Sequence, residues 1–199
     1  MPAPRLDEFP FGFSWVIEEP MQRASHAIAD DDGRVWLVDP TDEPAALERA
    51  GALGTPAGVV QLLDRHNRAC RSIADRLGVP HVKAWERPPG GPFEVVPVIS
   101  MPLWNEVALW WPARRVLVVA ESLGTTPIMA PGSDPAGVHP MLRLLPPRRL
   151  GGYEPEHLLV GHGPGVHGPQ AAAAPRLALA HARSDVPRLL GKLPAMFKH

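Results

Sequence analysis

The sequence predicts a mixed α/β fold, and three features carry that prediction. Aromatic and β-branched segments crowd residues 11–40, a strand–helix–strand unit follows, and later strand-like runs lead into a C-terminal helix. FGFSWVI (11–17), ASHAIAD (24–30) and RVWLVDP (34–40) read as strands, and the turn DDG at 31–33 joins the last two as a hairpin would. Asp39 and Pro40 stop the third. DEPAALERAGALG (42–54) reads as a short helix, with Pro44 near its start and Gly54 at its end. GVVQLL (58–63) is a short apolar run, the mark of a buried strand.

HNRACRSIADRLG (66–78) is the clearest helix. Ala69, Ile73 and Leu77 recur at helical spacing with Cys70 and Ala74 beside them, while Arg71, Asp75 and Arg76 take the other face. Gly78 and Pro80 end it. Strand-like VPHVKA (79–84) leads into the loop ERPPGGP. FEVVPVI (93–99), EVALWW (106–111) and RVLVVAES (115–122) are three more strands, with WWPARR turning the chain between the last two. Residues 123–156 show little periodicity apart from a short helix around Met141–Leu145. The strand LLV (158–160), a glycine turn and a helix within 170–190 complete the chain. Helices are expected on both faces of the sheets.

Length and charge narrow the function classes. A chain of 199 residues, 45% of them hydrophobic, suits one domain over residues 1–199. With 20 basic and 21 acidic side chains the net charge is −1, which offers no electrostatic basis for nucleic-acid or acidic-membrane binding. The lone Cys70 excludes an internal disulfide and a cysteine-rich zinc site, and its place on the apolar helix face suits a small buried residue. No segment has the pattern of a signal peptide or a membrane helix, so the expected compartment is the cytoplasm.

The segment HLLVGHGPGVHG (157–168) drives a buried strand to its end and then sets His162 between two glycines. Glycine permits a sharp turn and close approach, so such a histidine can point into a pocket as a metal ligand or serve as an ordinary loop residue. Together with the earlier turns, the order of elements resembles the metallo-β-lactamase fold family from about residue 12 to about residue 190. RVWLVDP looks like the strand whose terminal aspartate opens that family's site, and GVVQLL like the strand delivering its main histidine motif. EVALWWPARRVLVVAES looks like the hairpin ending in the bridging aspartate, and LLVGHGPGV like the late glycine-histidine-glycine turn. The resemblance implies a four-layer αββα sandwich with mixed sheets.

It also implies a metal centre, and here the sequence departs from the pattern. The family motif H-x-H-x-D-H loads two metal ions, whose Lewis acidity lowers the pKa of bound water to about 7. In DRHNRAC (64–70), Asp64 stands at the first histidine, His66 matches the second, Arg68 replaces the aspartate and Ala69 the last histidine. The mid-chain histidine falls near Met101-Pro102-Leu103, where there is none. Glu121 replaces the bridging aspartate, and His162 is retained. The surviving candidate ligands are therefore Asp64, His66, Glu121 and His162.

Arg68 would set a permanent cation where a second metal belongs, paired with Asp64 or Glu121. Asp64 also reads as a helix N-cap, Asp39 as a residue fixing loops beneath the pocket, and Trp104 as a pocket wall or core residue. His26, His81, His139, His157, His167, His181 and His199 have no partner at ligand spacing, although His167 could line the same pocket as His162. Trp110 and Trp111 should face opposite sides of the hairpin, one of them suiting a homodimer contact.

Three functions remain open. The first is a protein with a degraded metal site and no cofactor, acting by binding a small molecule or a protein partner. The second is a hydrolase of an ester, thioester, lactam or phosphoester, using a single zinc, iron or manganese ion. The third is a structural dimer.

Overall fold

A computed structural model of the chain describes residues 4–66 and 68–188. Its first sheet has six strands in sequence order: β1 (Arg5–Phe9), β2 (Gly12–Val16), β3 (Ala24–Ala29), β4 (Arg34–Val38), β5 (Thr55–Gln61) and β6 (His81–Lys83). The first four form an antiparallel meander, whereas β4, β5 and β6 run parallel because helices cross between them. Those helices are α1 (Pro44–Leu53) and α2 (Cys70–Leu77). The second sheet contains β7 (Glu94–Met101), β8 (Trp104–Trp111), β9 (Val116–Val119), β12 (His157–Val160) and β13 (Val166–His167), in the order β13-β12-β9-β8-β7. Between β9 and β12 lies the small ribbon of β10 (Leu123–Gly124) and β11 (Gly137–Val138). Helix α3 spans Pro169–His181.

Two cores account for the layering. Phe13, Trp15, Leu37 and Val59 of the first sheet pack against Ala46 and Ala50 of α1 and Ile73 and Ala74 of α2. The opposite faces of β4 and β5 supply Trp36, Val38 and Val60, which meet Val107, Leu109 and Val118 of the second sheet; Ala171, Ala174 and Ala178 of α3 close that sheet's outer face. The result is the αββα sandwich with mixed sheets. Each fully buried large apolar side chain stabilises it by about 1.5–3 kcal/mol.

The sheets are also joined through the backbone along one edge. Val107 N donates to Leu62 O at 3.0 Å, Asp64 N to Asn105 O at 3.2 Å, Ala24 N to Gly161 O at 2.9 Å and Gly163 N to Gln22 O at 2.8 Å. Asp64, His66 and His162 lie on the loops that make these joins.

Several elements differ from the sequence reading. Strand β1 was not expected, since RLDEF is charged and lies at the sheet edge. Helix α2 starts at Cys70 rather than near His66, because Ala69 N donates to Pro40 O and the chain before it is held in a non-helical path. In place of a helix over Met141–Leu145 there is one 3-10 turn, Pro140–Leu142, capped by the His139 side chain. The expected C-terminal helix is α3, which begins at Pro169; the end of the 170–190 range and His199 lie outside the described residues. Trp111 is buried, and Trp110 is half-buried with its ring 5.2 Å from that of Tyr153. Among the described residues no helix is long and apolar enough to cross a membrane.

His26 lies in the middle of β3, fully buried, sharing a 2.7 Å hydrogen bond with Ser14 Oγ. Burial, helped by the charge of Arg68, pulls its pKa from 6.5 down to about 3. In the unfolded chain this histidine takes a proton below about 6.5, whereas in the folded chain it stays neutral until about 3. Stability therefore declines as the pH falls through that window. Melting curves from pH 7 to 3 should show this decline, and His26→Asn should make it shallower. An unchanged slope in the variant would locate the acid sensitivity elsewhere.

Candidate functional site

Asp39 follows β4 in a left-handed conformation, φ 44°, a costly backbone for a residue with a Cβ. The turn puts its carboxylate under the loop after β5. Oδ1 accepts from Leu62 N at 3.1 Å, and Oδ2 lies 3.3 Å from His66 Nδ1. His66, also buried, sends its other nitrogen to Glu121, with Nε2 3.1 Å from Oε1. Burial by itself would lower the His66 pKa, but the bonds to Asp39 and Glu121 outweigh it and the net shift is upward. Asp39 is held below the usual carboxylate range: burial opposes this, but the His66 bond and the charges of His66 and Arg68 prevail.

The glycines around His162 have a steric reason. A Cβ on Gly161 would stand 2.1 Å from Ala120 O, and one on Gly163 would stand 2.2 Å from Thr125 Oγ1. Gly163 also has φ 93°. Only glycine lets the turn after β12 pack this tightly onto the end of β9. His162 Nδ1 donates to Met21 O at 2.9 Å, which turns Nε2 inward to 3.8 Å from Glu121 Oε1. That nitrogen is buried and has no hydrogen-bond partner.

Glu121 stands just past β9 and joins both histidines. Its second oxygen accepts from Arg65 at 2.6 Å. Burial acts to raise its pKa, but His162, His66 and Arg65 together hold it far below the usual carboxylate range. The loop is braced from within by Glu106 of β8, which is fully buried. Its Oε1 accepts the backbone N–H groups of Glu121 at 3.0 Å and Ser122 at 2.9 Å, and its Oε2 accepts Trp104 Nε1 at 3.1 Å. Burial keeps the Glu106 pKa raised despite these bonds. The Arg65 guanidinium stacks over the Trp104 ring at 4.0 Å, and the Trp104 edge meets His139 at 5.1 Å between centroids.

His66, Glu121 and His162 thus present ligand atoms that all lie within 4.8 Å of one another. Both histidines fix Nδ1 on an outer acceptor and turn Nε2 inward, the arrangement that orients an imidazole for a metal. Ligand atoms around a tetrahedral zinc stand about 3.3 Å apart. The observed 3.1 and 3.8 Å separations match that spacing to within about half an ångström. Two nitrogens and a carboxylate form a donor set for zinc, iron or manganese.

The other candidates take different places. Asp64 stands outside this group: Oδ2 accepts Asn105 N at 3.0 Å, so it caps the β8 backbone and not a helix. With Arg68, Arg71, Lys83 and Trp85 it lines a separate cleft of about 560 Å³. Arg68 pairs with neither Asp64 nor Glu121, contrary to the sequence reading. Its guanidinium donates to the backbone carbonyls of Ala24, Asp39 (3.0 Å) and Gly161 (3.0 Å). Three carbonyls converge on the loop there, and a fork of N–H donors satisfies them better than a carboxylate could use it.

His167 does not line the pocket: it sits between Asp7 (3.2 Å) and His157 (2.9 Å), at the other end of β12 from His162. Cys70 is buried, and burial pushes its pKa above the range of a reactive thiol. Arg65, Glu106 and His139 were missed by the sequence reading. Glu106 alone left a signal, an acid two residues from Trp104 and on the same side of a largely apolar strand.

No family model and no curated protein matches the chain. Solved structures do. The metallo-beta-lactamase from Pontibacter korlensis superposes with a TM-score of 0.63 at 13% identity, covering 93% of this chain and 99% of its own. The corresponding values for TMB-1 are 0.54, 11%, 94% and 99%. For the BLEG-1 B3 metallo-beta-lactamase they are 0.52, 16%, 76% and 91%.

Removing the Arg68 guanidinium takes a donor from three carbonyls, of which Gly161 O keeps the Ala24 N–H. Arg68→Ala should cost about 3 kcal/mol, a fall of roughly 6–12 °C in melting temperature. Arg68→Lys, with one ammonium in place of a fork, should recover only part of the loss. A wild-type melting curve for Arg68→Ala would refute the bracing role.

Proposed function

We propose that this protein, which has the metallo-β-lactamase fold, is a hydrolase with a one-metal site formed by His66, Glu121 and His162. The observation that supports the reading is the matched orientation of the histidines. Asp39 and the Met21 carbonyl each hold an Nδ1, and both Nε2 atoms turn toward one Glu121 oxygen. A divalent cation bound there supplies Lewis acidity and brings the pKa of a water to about 7.

The chain's own groups supply the rest. Asp39 keeps His66 in the tautomer that exposes Nε2. Glu106 fixes the backbone on which Glu121 stands, and Arg65 holds a cation beside the Glu121 carboxylate for a substrate oxygen. Water adds to the substrate's carbonyl carbon or phosphorus, the bond to the leaving oxygen, sulfur or nitrogen breaks, and the leaving group departs with a proton. Esters, thioesters, lactams and phosphoesters all fit this scheme.

A second reading is a metal-free binding protein, favoured by the charge balance around Glu121. Arg65 and a proton on His66 already neutralise the carboxylates, and Arg68 adds a further cation among the same loops.

Metal content by mass spectrometry, on untagged protein purified without chelator, separates the two readings. The hydrolase reading expects about one equivalent of zinc, iron or manganese, lost in His162→Ala. It also expects free zinc at a hundred times its Kd to stabilise the native state by about 2.7 kcal/mol, roughly 5–10 °C in melting temperature. No metal and no thermal shift after incubation with excess zinc would leave the binding protein.

A further inference from the structure

The surface beside this site carries large apolar side chains in the open. Leu103 is 85% exposed, Leu145 83%, Met141 73%, Leu144 68% and Met101 50%. Single exposed apolar residues are ordinary, whereas a group of them marks a binding surface. Two segments supply the group. Met101 and Leu103 lie at the tip of the β7–β8 hairpin, where Met101 pairs with Trp104, and the other three lie just beyond His139. The contact of Trp104 with His139 brings the segments together.

Neither segment is loosely held. Arg143, 1% exposed, donates to the backbone carbonyls of Val138 (3.1 Å), Ile128 (2.6 Å), Met129 (3.0 Å) and Asp185 (3.1 Å). A buried guanidinium bound on four sides fixes the backbone that sends Met141, Leu144 and Leu145 into water. At the hairpin tip, Leu103 has φ 64°, a conformation that disfavours any residue with a Cβ. Strain, exposure and anchoring together indicate a displayed surface.

That surface runs into the site. Trp104 meets His139 on its edge and carries the Arg65 guanidinium on its face, and Arg65 reaches Glu121 at 2.6 Å. An apolar track therefore ends at a cation beside the candidate metal ligands, which is the complement of an amphiphile. We infer that the substrate is a carbonyl compound of the acyl ester or thioester kind with a long unbranched chain. The chain lies across Leu103, Met141, Leu144 and Leu145, and the carbonyl end lies at Arg65. The cleavage rests on the hydrolase reading, with water as co-reactant, whereas the apolar track needs no metal.

Calorimetric titration with butanoate, octanoate and dodecanoate, which mimic the acid products, tests this without turnover. Affinity should rise roughly twofold or more per added methylene, the increment for partly buried CH₂ groups. Leu103→Ser combined with Leu145→Ser should flatten the series and leave the melting temperature unchanged, since both side chains face water. A flat series in the native protein, or an unaltered slope in the double variant, would overturn the inference. So would a dimer in sedimentation equilibrium that the double variant converts to monomer. Chain-dependent binding without metal would sink the hydrolase reading alone, and bound metal with a flat series would sink this one alone.

Discussion

The site is organised around the Arg68 guanidinium. It donates to a carbonyl at the start of β3, one at the end of β4 and one just past β12, so one side chain joins both sheets. Enclosing a guanidinium is costly unless its donors are satisfied, and the three carbonyls satisfy two of its nitrogens while Nε has no partner. The same charge limits what else the pocket holds. With Arg65 it sets two fixed cations among the loops that carry Asp39 and Glu121.

The two histidines show how the surrounding shell determines the chemistry. A neutral imidazole offers one lone pair, and the partner of the other nitrogen selects which one. His66 takes its partner from a strained aspartate and His162 from a backbone carbonyl, yet both lone pairs converge. Asp39 is strained because it serves four groups: its N–H bonds Val60, its carbonyl accepts from Arg68, and its carboxylate serves Leu62 and His66. A relaxed backbone there would aim the carboxylate away from one of these partners.

Most of the frame was legible because strands with one or two buried faces announce themselves by β-branched and aromatic runs, and because α2 has a clean apolar stripe. Strand β1 was not, since an exposed edge strand has no need of an apolar face. The ribbon of β10 and β11 is too short to carry a period at all. At the site, His162 stood out through its glycine turn, and His66 and Glu121 through the resemblance to the family motif. Arg68 was identified, but its partners were not, because backbone carbonyls leave no trace in a sequence. Asp64 shows the converse: its position in the motif suggested a ligand, and a local bond to the Asn105 N–H claimed it. Glu106 is the remaining case: an acid within an apolar strand does not reveal by itself which backbone groups it will accept.

Glu106 and Glu121 are a pair of carboxylates with opposite environments, one raised in pKa by burial and the other lowered by cations. Only the second is suited to bind a cation, and the division follows from what each accepts. Glu106 receives neutral backbone and indole donors and serves as scaffold, whereas Glu121 receives Arg65 and His66 and faces His162. The extra methylene of glutamate over aspartate lets one carboxylate span both histidines and the arginine from a strand end. At His66 the bonds to Asp39 and Glu121 shift the pKa upward against the effect of burial. Glu121 and His66 therefore each favour the charged form of the other.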